Sequence, residues 1–413
     1  MRRVGYSQRR VCSMSTFKSV PLQEVAVLNP RLGIRLADDS AVSFVPMAAL
    51  SAEKASIDGA IVRPYVEVKK GYTCFESGDV LVAKITPCFE NGKIAQALLT
   101  HQNGFGSTEF HVVRPKPKVA DGRYLHHYLR QPGIRAGGER RMTGSGGQRR
   151  VPESYIAGLV VPVPPLPEQR RIAAILDQAD ALRAKRREAL AQLDSLTQSI
   201  FIEMFGDPVA NPMGWPENLK LGAVADIVSG VTKGRKIGDV PTRIVPYLAV
   251  ANVQDKALSL SGVKEIAASE AEIVRYRLLR DDLLLTEGGD PDKLGRGTLW
   301  NDELPECIHQ NHIVRVRLTN RAVLPLFLNW LVGGARGKNY FLRSAKQTTG
   351  IASINMTQLR EFPLLLPPLA LQRTFATRIQ AVESLRATHR AALAESDALF
   401  ASLQHRAFAG QLS

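Results

Sequence analysis

The chain has 413 residues, a formal net charge of +15 and a hydrophobic fraction of 45%. This composition is ordinary for two or three globular domains, and no apolar run approaches the roughly 20 residues of a membrane span. The N-terminus has paired arginines without the apolar segment of a signal peptide. We therefore expect a cytoplasmic protein with no membrane association and a basic, disordered tail over residues 1–16.

Residues 17–166 carry the pattern of a mixed sheet. Short apolar or β-branched runs at 43–47, 65–68, 80–85, 93–98 and 110–114 are separated by Gly, Asn, Asp and Pro. A short helix is predicted at 122–130. Residues 134–150 are rich in glycine and arginine, which predicts a flexible loop. Such a loop suits a phosphate backbone, and a solvated surface loop is the alternative.

A long helix follows, which we place at 167–206, including the glycine that ends it. Apolar residues recur there at alternating steps of three and four, from Ile172 to Ile200. Pro167 suits a first helical turn, and Gly206 with Pro208 ends the pattern. At 1.5 Å per residue the helix would be roughly 57 Å long, which predicts a partner helix.

The second half of the chain repeats the first. Gln372 in a C-terminal helix at 367–413 lies 203 residues after Gln169, and at this offset Phe408 matches Phe205. Residues 79–82 match 282–285, and 112–114 match 313–315 with a small shift. Residues 207–366 thus form a second module, whose late loop at 344–354 is polar and poorer in glycine. The chain is a tandem duplication of a module plus a helix.

This organisation predicts an α+β fold with two similar mixed α/β modules. The second module leaves the C-terminal end of one helix and returns at the N-terminal end of the other. Because a compact module keeps its ends close together, antiparallel pairing of the helices is favoured. We therefore expect an antiparallel two-helix coiled coil with pseudo-two-fold symmetry that separates the two modules.

The basic excess lies mainly outside the helices. The first helix is neutral, the second contributes +2 and the tail +4, which leaves +9 for the modules and the segments around them. An anionic polymer is thus the favoured partner of the modules.

Candidate catalytic groups are weak. The stretch GSGGQRR lacks the lysine of a Walker loop. Asp58, Glu67 and Lys69 have the skeleton of a metal-dependent nuclease, a combination that arises easily by chance. Cys307, His309 and His312 suggest zinc, but a structural site needs a fourth ligand. Alternation of Cys307, His309 and Asn311 along a strand is the simpler interpretation.

The two helix starts, PPLPEQRRIAAILDQADAL at 164–182 and PPLALQRTFATRIQAVESL at 367–385, resemble repeats of the specificity (S) subunits of type I restriction-modification enzymes. The segments 78–95, 281–297 and 307–317 are similar to parts of that family's target recognition domains. Ala370 and Leu371 depart from the pattern at the second helix, and the apolar seam there is weaker.

The resemblance implies a non-catalytic subunit that recognises a bipartite, asymmetric site in double-stranded DNA. It implies two methylation subunits that carry S-adenosylmethionine, and restriction subunits that use ATP and Mg. No cofactor is expected on this chain. A protein-interaction adaptor and a stand-alone nuclease are the alternatives.

Amide, hydroxyl and basic side chains on loops are the candidates for DNA contacts, because their donors and acceptors match base edges in the major groove. The candidates in the first module are Lys84, Thr86, Asn91, Lys93, Gln148, Arg149 and Arg150. Those in the second module are Lys293, Arg296, Gln310, Asn311, His312, Lys346, Gln347 and Thr348.

Overall fold

The computed structural model describes residues 17–145, 147–289, 295–344, 346–348 and 351–412. The predicted tail at 1–16 and the candidate Lys293 lie outside these residues. The chain divides into two compact units. Unit 1 joins the chain up to Ala189 with the segment from His389 onward, and unit 2 is Leu190–Thr388.

The α/β part of unit 1 consists of short strands and helices. In chain order they are β1 Ser19–Pro21, α1 Leu22–Val25, β2 Ala26–Leu28, β3 Ala41–Val45, β4 Leu50–Ser51, β5 Ser56–Ile57, β6 Ile61–Pro64, α2 Tyr65–Val68, β7 Thr73–Glu76, β8 Val80–Ala83, β9 Ile94–Gln96, β10 Asn103–Gly106, β11 Phe110–Pro115, α3 Gly122–Leu129, α4 Pro132–Glu139, α5 Glu153–Ala157 and β12 Val160–Pro162. Helix α6, Leu166–Phe205, begins in unit 1 and ends in unit 2.

Unit 2 has a similar succession of elements. They are β13 Leu219–Lys220, β14 Ala225–Ser229, β15 Thr242–Leu248, β16 Val253–Gln254, β17 Ala257–Leu258, β18 Lys264–Ser269, α7 Glu270–Tyr276, β19 Leu283–Thr286, β20 Gly288–Gly289, β21 Gly297–Leu299, β22 Ile308–His309, β23 Ile313–Leu318, α8 Pro325–Gly333, α9 Ala335–Ser344, β24 Lys346–Thr348, β25 Ile351–Ser353, α10 Met356–Arg360 and β26 Pro363–Leu364. Helix α11, Leu369–Phe408, begins in unit 2 and ends in unit 1.

Each unit has a four-stranded antiparallel sheet of the same design, ordered β2-β11-β8-β9 in unit 1 and β14-β23-β19-β21 in unit 2. Of the two central strands in unit 1, β8 is continuously apolar and fully buried, whereas β11 is buried at its first four residues and carries His111 and Arg114. A second sheet in each unit contains a parallel pair, β10 with β3 and β22 with β15. The mixed α/β fold and its duplication, predicted from sequence, are confirmed.

Two predictions of local structure in the first module were wrong. Residues 65–68 were expected to form a strand, but they form the single helical turn α2, and the strand β6 precedes them. Residues 134–139 were expected in a flexible loop, but they belong to α4, which Pro132 starts at a position where its missing N–H costs nothing.

The helices α6 and α11 run antiparallel within each unit, as predicted. In unit 1 Arg171 donates to the carbonyl of Leu412, and twelve residues later Arg183 pairs with Asp397. In unit 2 Asp194 pairs with Arg386 and Glu203 with Arg378. Residue numbers therefore rise along one helix as they fall along its partner.

The end of each helix packs on the α/β part of its unit in the same way. The ring of Phe408 lies 5.2 Å from that of Tyr124 in unit 1, and the ring of Phe205 lies 4.8 Å from that of Phe327 in unit 2. Both members of the second pair lie 203 residues from their counterparts in the first. The duplication therefore extends to the contact that anchors the helices.

The offset of 203 also corrects the alignment of the strands. The Nε and Nη2 groups of Arg114 donate to the carboxylate of Asp79, and the same two groups of Arg317 donate to the carboxylate of Asp282. The counterpart of Arg114 is therefore Arg317 and not Arg315, the residue matched from sequence. A shift of two residues keeps every strand side chain on its face, so the apolar pattern cannot detect it.

Candidate nucleic-acid interface

Three segments meet at one edge of the four-stranded sheet in unit 1. The N–H of Lys84, just after β8, donates to the carbonyl of Glu109 at 2.8 Å. The N–H of Val151 donates to the carbonyl of Lys84, also at 2.8 Å. The predicted groups at 84–93 and 148–150 are therefore neighbours, although more than fifty residues separate them.

Unit 2 builds the same edge from equivalent positions. The N–H of Glu287 donates to the carbonyl of His312 at 3.0 Å, and that of Ile354 donates to the carbonyl of Glu287 at 2.8 Å. The side chains differ completely between the two edges: Lys84, Glu109 and Arg150 correspond to Glu287, His312 and Ser353. One backbone frame thus presents two different chemical surfaces.

Arg150 is held by an ion pair, whereas its neighbour is free. The Arg150 guanidinium donates to both carboxylate oxygens of Glu109, at 2.9 and 2.8 Å, and this bond lowers the pKa of Glu109. Arg149 is exposed and has no side-chain partner in the described part of the chain, while its carbonyl accepts from the N–H of Thr86 at 2.9 Å. Arg149 is therefore the better candidate for a phosphate contact.

The other candidates of unit 1 differ in availability. Gln148 and Asn91 are exposed, and Lys84 is half-buried. The hydroxyl of Thr86 donates to Glu90, and the ammonium of Lys93 donates to the carbonyl of Met47 at 3.1 Å. Thr86 and Lys93 thus have structural partners that sequence did not reveal.

Close packing explains the glycines at 137 and 138. A Cβ atom added at Gly137 would lie 2.6 Å from the Tyr155 hydroxyl, and one at Gly138 would lie 2.5 Å from the Phe89 ring. Arg135 of helix α4 is also engaged, since it donates to the Glu90 carbonyl at 3.0 Å. The loop character predicted for 134–150 therefore does not apply to α4.

The candidates of unit 2 are fixed mainly by their backbones. The N–H of Gln310 donates to the Leu248 carbonyl at 3.0 Å, and the Asn311 carbonyl accepts from the Ser229 hydroxyl at 2.6 Å. The imidazole of His312 lies 2.9 Å from a Glu287 oxygen. These contacts leave the half-buried side-chain amides of Gln310 and Asn311 without partners among the described residues.

Arg296 and the late segment of unit 2 lie beside this edge. Arg296 contacts Gln254 at 3.5 Å, and its carbonyl accepts from the N–H of Thr286 at 3.0 Å. Lys346, Gln347 and Thr348 form β24, which pairs with β25, and β25 pairs in turn with β20 after β19. The side chains of these three residues lie outside the part of the chain that the structure describes.

Sequence reasoning missed the basic loops that follow β2 and β14. Arg31 and Arg35 are exposed in the first loop, and Lys233 and Lys236 in the second, with no side-chain partner in the described ranges. In unit 2, Val231 bridges to Gln310, which brings its loop to the same edge. The signal available in the sequence was the pair of basic residues that follows the first strand of the four-stranded sheet in each module.

The zinc interpretation of Cys307, His309 and His312 is not supported. His309 is buried, and its ring nitrogens lie 3.0 and 3.3 Å from the carbonyls of Tyr276 and Val228. Burial raises the pKa of Cys307 to about 12, while His312 is exposed beside Glu287. No group of three possible ligands that could hold a metal ion occurs in the described part of the chain.

Two of the three residues of the possible nuclease site, Asp58 and Lys69, form ion pairs with residues outside that site. Asp58 pairs with Lys54 at 3.0 Å, and Lys69 pairs with Asp38 at 2.8 Å.

None of the described helices is both long and apolar enough to cross a membrane.

Residues 14–192 match the family model of the type I restriction modification DNA specificity domain. The chain is 37% identical over 181 residues to the EcoAI specificity subunit of Escherichia coli, which covers 43% of this chain and 31% of that subunit. It is 24% identical over 339 residues to the StySPI specificity subunit of Salmonella potsdam, covering 78% and 72%. The match thus spans about a third of the first relative and most of the second.

Two solved structures share the fold. A chain from a study of complex assembly and conformational transition in the type I R-M system aligns over 96% of this chain and 99% of its own length, with a TM-score of 0.56 at 20% identity. The type I S subunit from M. genitalium aligns over 97% and 98%, with a TM-score of 0.55 at 12% identity. At these identities the likeness concerns the fold.

The class of protein is therefore a duplicated α/β module built on two long helices, with one polar edge in each unit. Residues 14–192 resemble the type I restriction modification DNA specificity domain, and the chain as a whole is similar to specificity subunits of type I restriction enzymes.

Proposed function

We propose that this chain is the DNA sequence-recognition subunit of a cytoplasmic type I restriction-modification complex, and that each unit binds one half of a bipartite, asymmetric site. The observation that carries the proposal is the edge built twice on one backbone frame with unlike side chains. Equivalent frames enter equivalent grooves, whereas unlike side chains select unlike bases.

The charge distribution supports binding to DNA. Arg31, Arg35 and Arg149 in unit 1, and Lys233 and Lys236 in unit 2, are exposed cations without side-chain partners in the described ranges. Contacts of this kind fix the position of a protein on a duplex, while amides such as Gln148, Gln310 and Asn311 supply selectivity. The candidate contacts on Lys293 and on residues 346–348 remain part of the proposal.

The helices carry features that suit two copies of one partner. Leu182 and Leu399 are 44% and 52% exposed in unit 1, and Leu385 and Leu196 are 46% and 44% exposed in unit 2. The two pairs are related by the offset of 203. Exposed leucines in equivalent places suit docking of two methylation subunits. S-adenosylmethionine, ATP and Mg would then act on the methylation and restriction subunits, and this chain would carry no catalysis.

An exchange of the second module tests the proposal. The chain, purified with its methylation subunits, should direct adenine methylation to a split site that sequencing of methylated DNA identifies. Replacing 215–365 by the corresponding residues of another specificity subunit should change one half of that site only. Unchanged specificity would contradict the proposal, and partner binding without any affinity for DNA would favour an adaptor.

A single arginine provides a finer test. Arg149→Ala should weaken DNA binding and reduce the dependence of log Kd on log salt by about one contact. The matched control is Lys118→Ala, because Lys118 is also exposed and unpaired among the described residues but follows β11 at its other end. Equal losses from both variants would indicate a general charge effect instead of a site.

A further inference from the structure

A basic cavity lies in unit 2 at the end of the sheet that faces away from the proposed DNA edge. Its volume is about 380 Å³, and four arginines line it: Arg280, Arg317, Arg321 and Arg373. It lies beside Asp282 and Arg317, whereas the DNA edge lies beyond Thr286 and Ile313 at the opposite ends of the same two strands. The cavity is thus a separate feature of unit 2.

The charge of the cavity is not balanced by its own carboxylates. The Asp282 carboxylate already has partners, because it accepts two hydrogen bonds from Arg317 and one from the N–H of Leu279. It therefore does not neutralise the other arginines of the cavity. Arg280 lies 3.8 Å from Asp302 in an exposed pair of little strength. Arg321 and Arg373 are exposed and have no side-chain partner among the described residues. Asp281 is the remaining carboxylate of the lining.

The first repeat lacks this arrangement. The positions equivalent to Arg280 and Leu324 are Ser77 and Asp121 in unit 1. Asp121 lies 3.7 Å from Arg170, the counterpart of Arg373, and supplies a carboxylate where unit 2 has an apolar side chain. The duplication thus retains the helix start, but its arginine faces a carboxylate in the first copy, whereas Arg373 in the second copy has no side-chain partner among the described residues.

We propose that this cavity binds a small phosphorylated anion, up to the size of a mononucleotide. Pockets of roughly 300–1,000 Å³ hold small molecules, so the volume admits such a ligand. Guanidinium groups bind phosphate oxygens through pairs of charge-assisted hydrogen bonds, for which Arg321 and Arg373 have free donors. The N-terminus of α11 at Leu369 also borders the cavity, and its positive dipole end adds to the attraction.

The test is to titrate the full chain with pyrophosphate, and separately with AMP, and to measure binding by isothermal titration calorimetry in a phosphate-free buffer. We expect saturable binding with one site per chain. The double substitution Arg321→Gln with Arg373→Gln should weaken it at least tenfold, while Arg170→Gln should leave it unchanged. Tighter binding of AMP would identify a nucleotide as the source of the phosphoryl group, and tighter binding of pyrophosphate would identify an inorganic one.

Three outcomes would overturn the proposal. They are the absence of saturable binding, an equal loss with Arg170→Gln, and displacement of the anion by a tri-glutamate peptide of higher affinity, which would assign the cavity to an acidic protein segment. All three substituted arginines are exposed, and tryptophan fluorescence in urea will show whether unit 2 of each variant is folded. The proposal does not depend on DNA recognition.

Discussion

Arg183 Nε lies 2.5 Å from a carboxylate oxygen of Asp397, and this bond joins α6 to α11 in unit 1. The bond recurs in unit 2, where Arg386, 203 residues after Arg183, lies 2.5 Å from Asp194, which is 203 residues before Asp397. Arg183 also covers the ring of Phe400 at 4.4 Å, so its side chain is fixed by packing as well as by charge. The repeated pair helps to set the register of the antiparallel helices.

The first prediction concerns the strength of this pair. A double-mutant cycle with Arg386→Gln and Asp194→Asn should give a coupling energy of about 1 kcal/mol or less, because Asp194 is 59% exposed. All three tryptophans, Trp215, Trp300 and Trp330, lie in unit 2, so their fluorescence in urea reports on that unit. The equivalent cycle on Arg183 and Asp397 is the control and should leave this signal unchanged.

The second prediction concerns the glutamines that begin the helices. Gln372 is fully buried, donates to the carbonyls of Ala322 and Pro367, and accepts from the N–H of Leu324 at 2.8 Å. Gln372→Ala leaves these groups unsatisfied and should lower the free energy of unfolding of unit 2 by at least about 2 kcal/mol.

The control for Gln372 is Gln380→Ala, which alters an exposed residue of the same helix and should change the unfolding free energy by less than about 0.5 kcal/mol. Gln169 makes the equivalent three bonds in unit 1. If Gln372→Ala and Gln380→Ala were equally stable, the buried bonds would have no net effect on stability.

The third prediction concerns α4. Gly138→Ala places a methyl group 2.5 Å from the Phe89 ring and should destabilise unit 1 by roughly 1–3 kcal/mol. Gly133→Ala in the same helix meets no atom within 4 Å and should be neutral or stabilising by up to about 1 kcal/mol. Calorimetric unfolding of the two variants makes the comparison, and the prediction fails if Gly138→Ala matches the wild type.

The fourth prediction concerns acid stability. Burial lowers the pKa of His309 to about 4, below the ordinary value of 6.5, so the unfolded state binds the proton more readily than the folded state. The stability of unit 2 should therefore fall as pH drops from 6.5 towards 4. At pH 5 the free energy of unfolding should be lower by roughly 2 kcal/mol than at neutral pH because of His309 alone.

His309→Gln removes the titrating group and is the variant for this test. Its unit 2 should lose less stability than the wild type between pH 7.5 and pH 5, as measured by tryptophan fluorescence in urea. The same loss in both proteins would assign the acid sensitivity to other groups.

Local patterns determine much of the architecture. The apolar seam and the flanking Pro and Gly predict a helix that the structure places at Leu166–Phe205. The repeat of Gln169 at Gln372, together with the order of module and helix, predicts antiparallel pairing. These features depend on neighbouring residues or on periodicity, which a sequence displays directly.

Tertiary structure alone decided which polar side chains are free. Arg149 and Arg150 are adjacent and chemically identical, yet Arg150 is paired because Glu109, 41 residues away, reaches its guanidinium. In the same way Gly138 is small because the ring of Phe89 lies against it. Partners of this kind come from distant segments that folding brings together, so composition and spacing cannot indicate them.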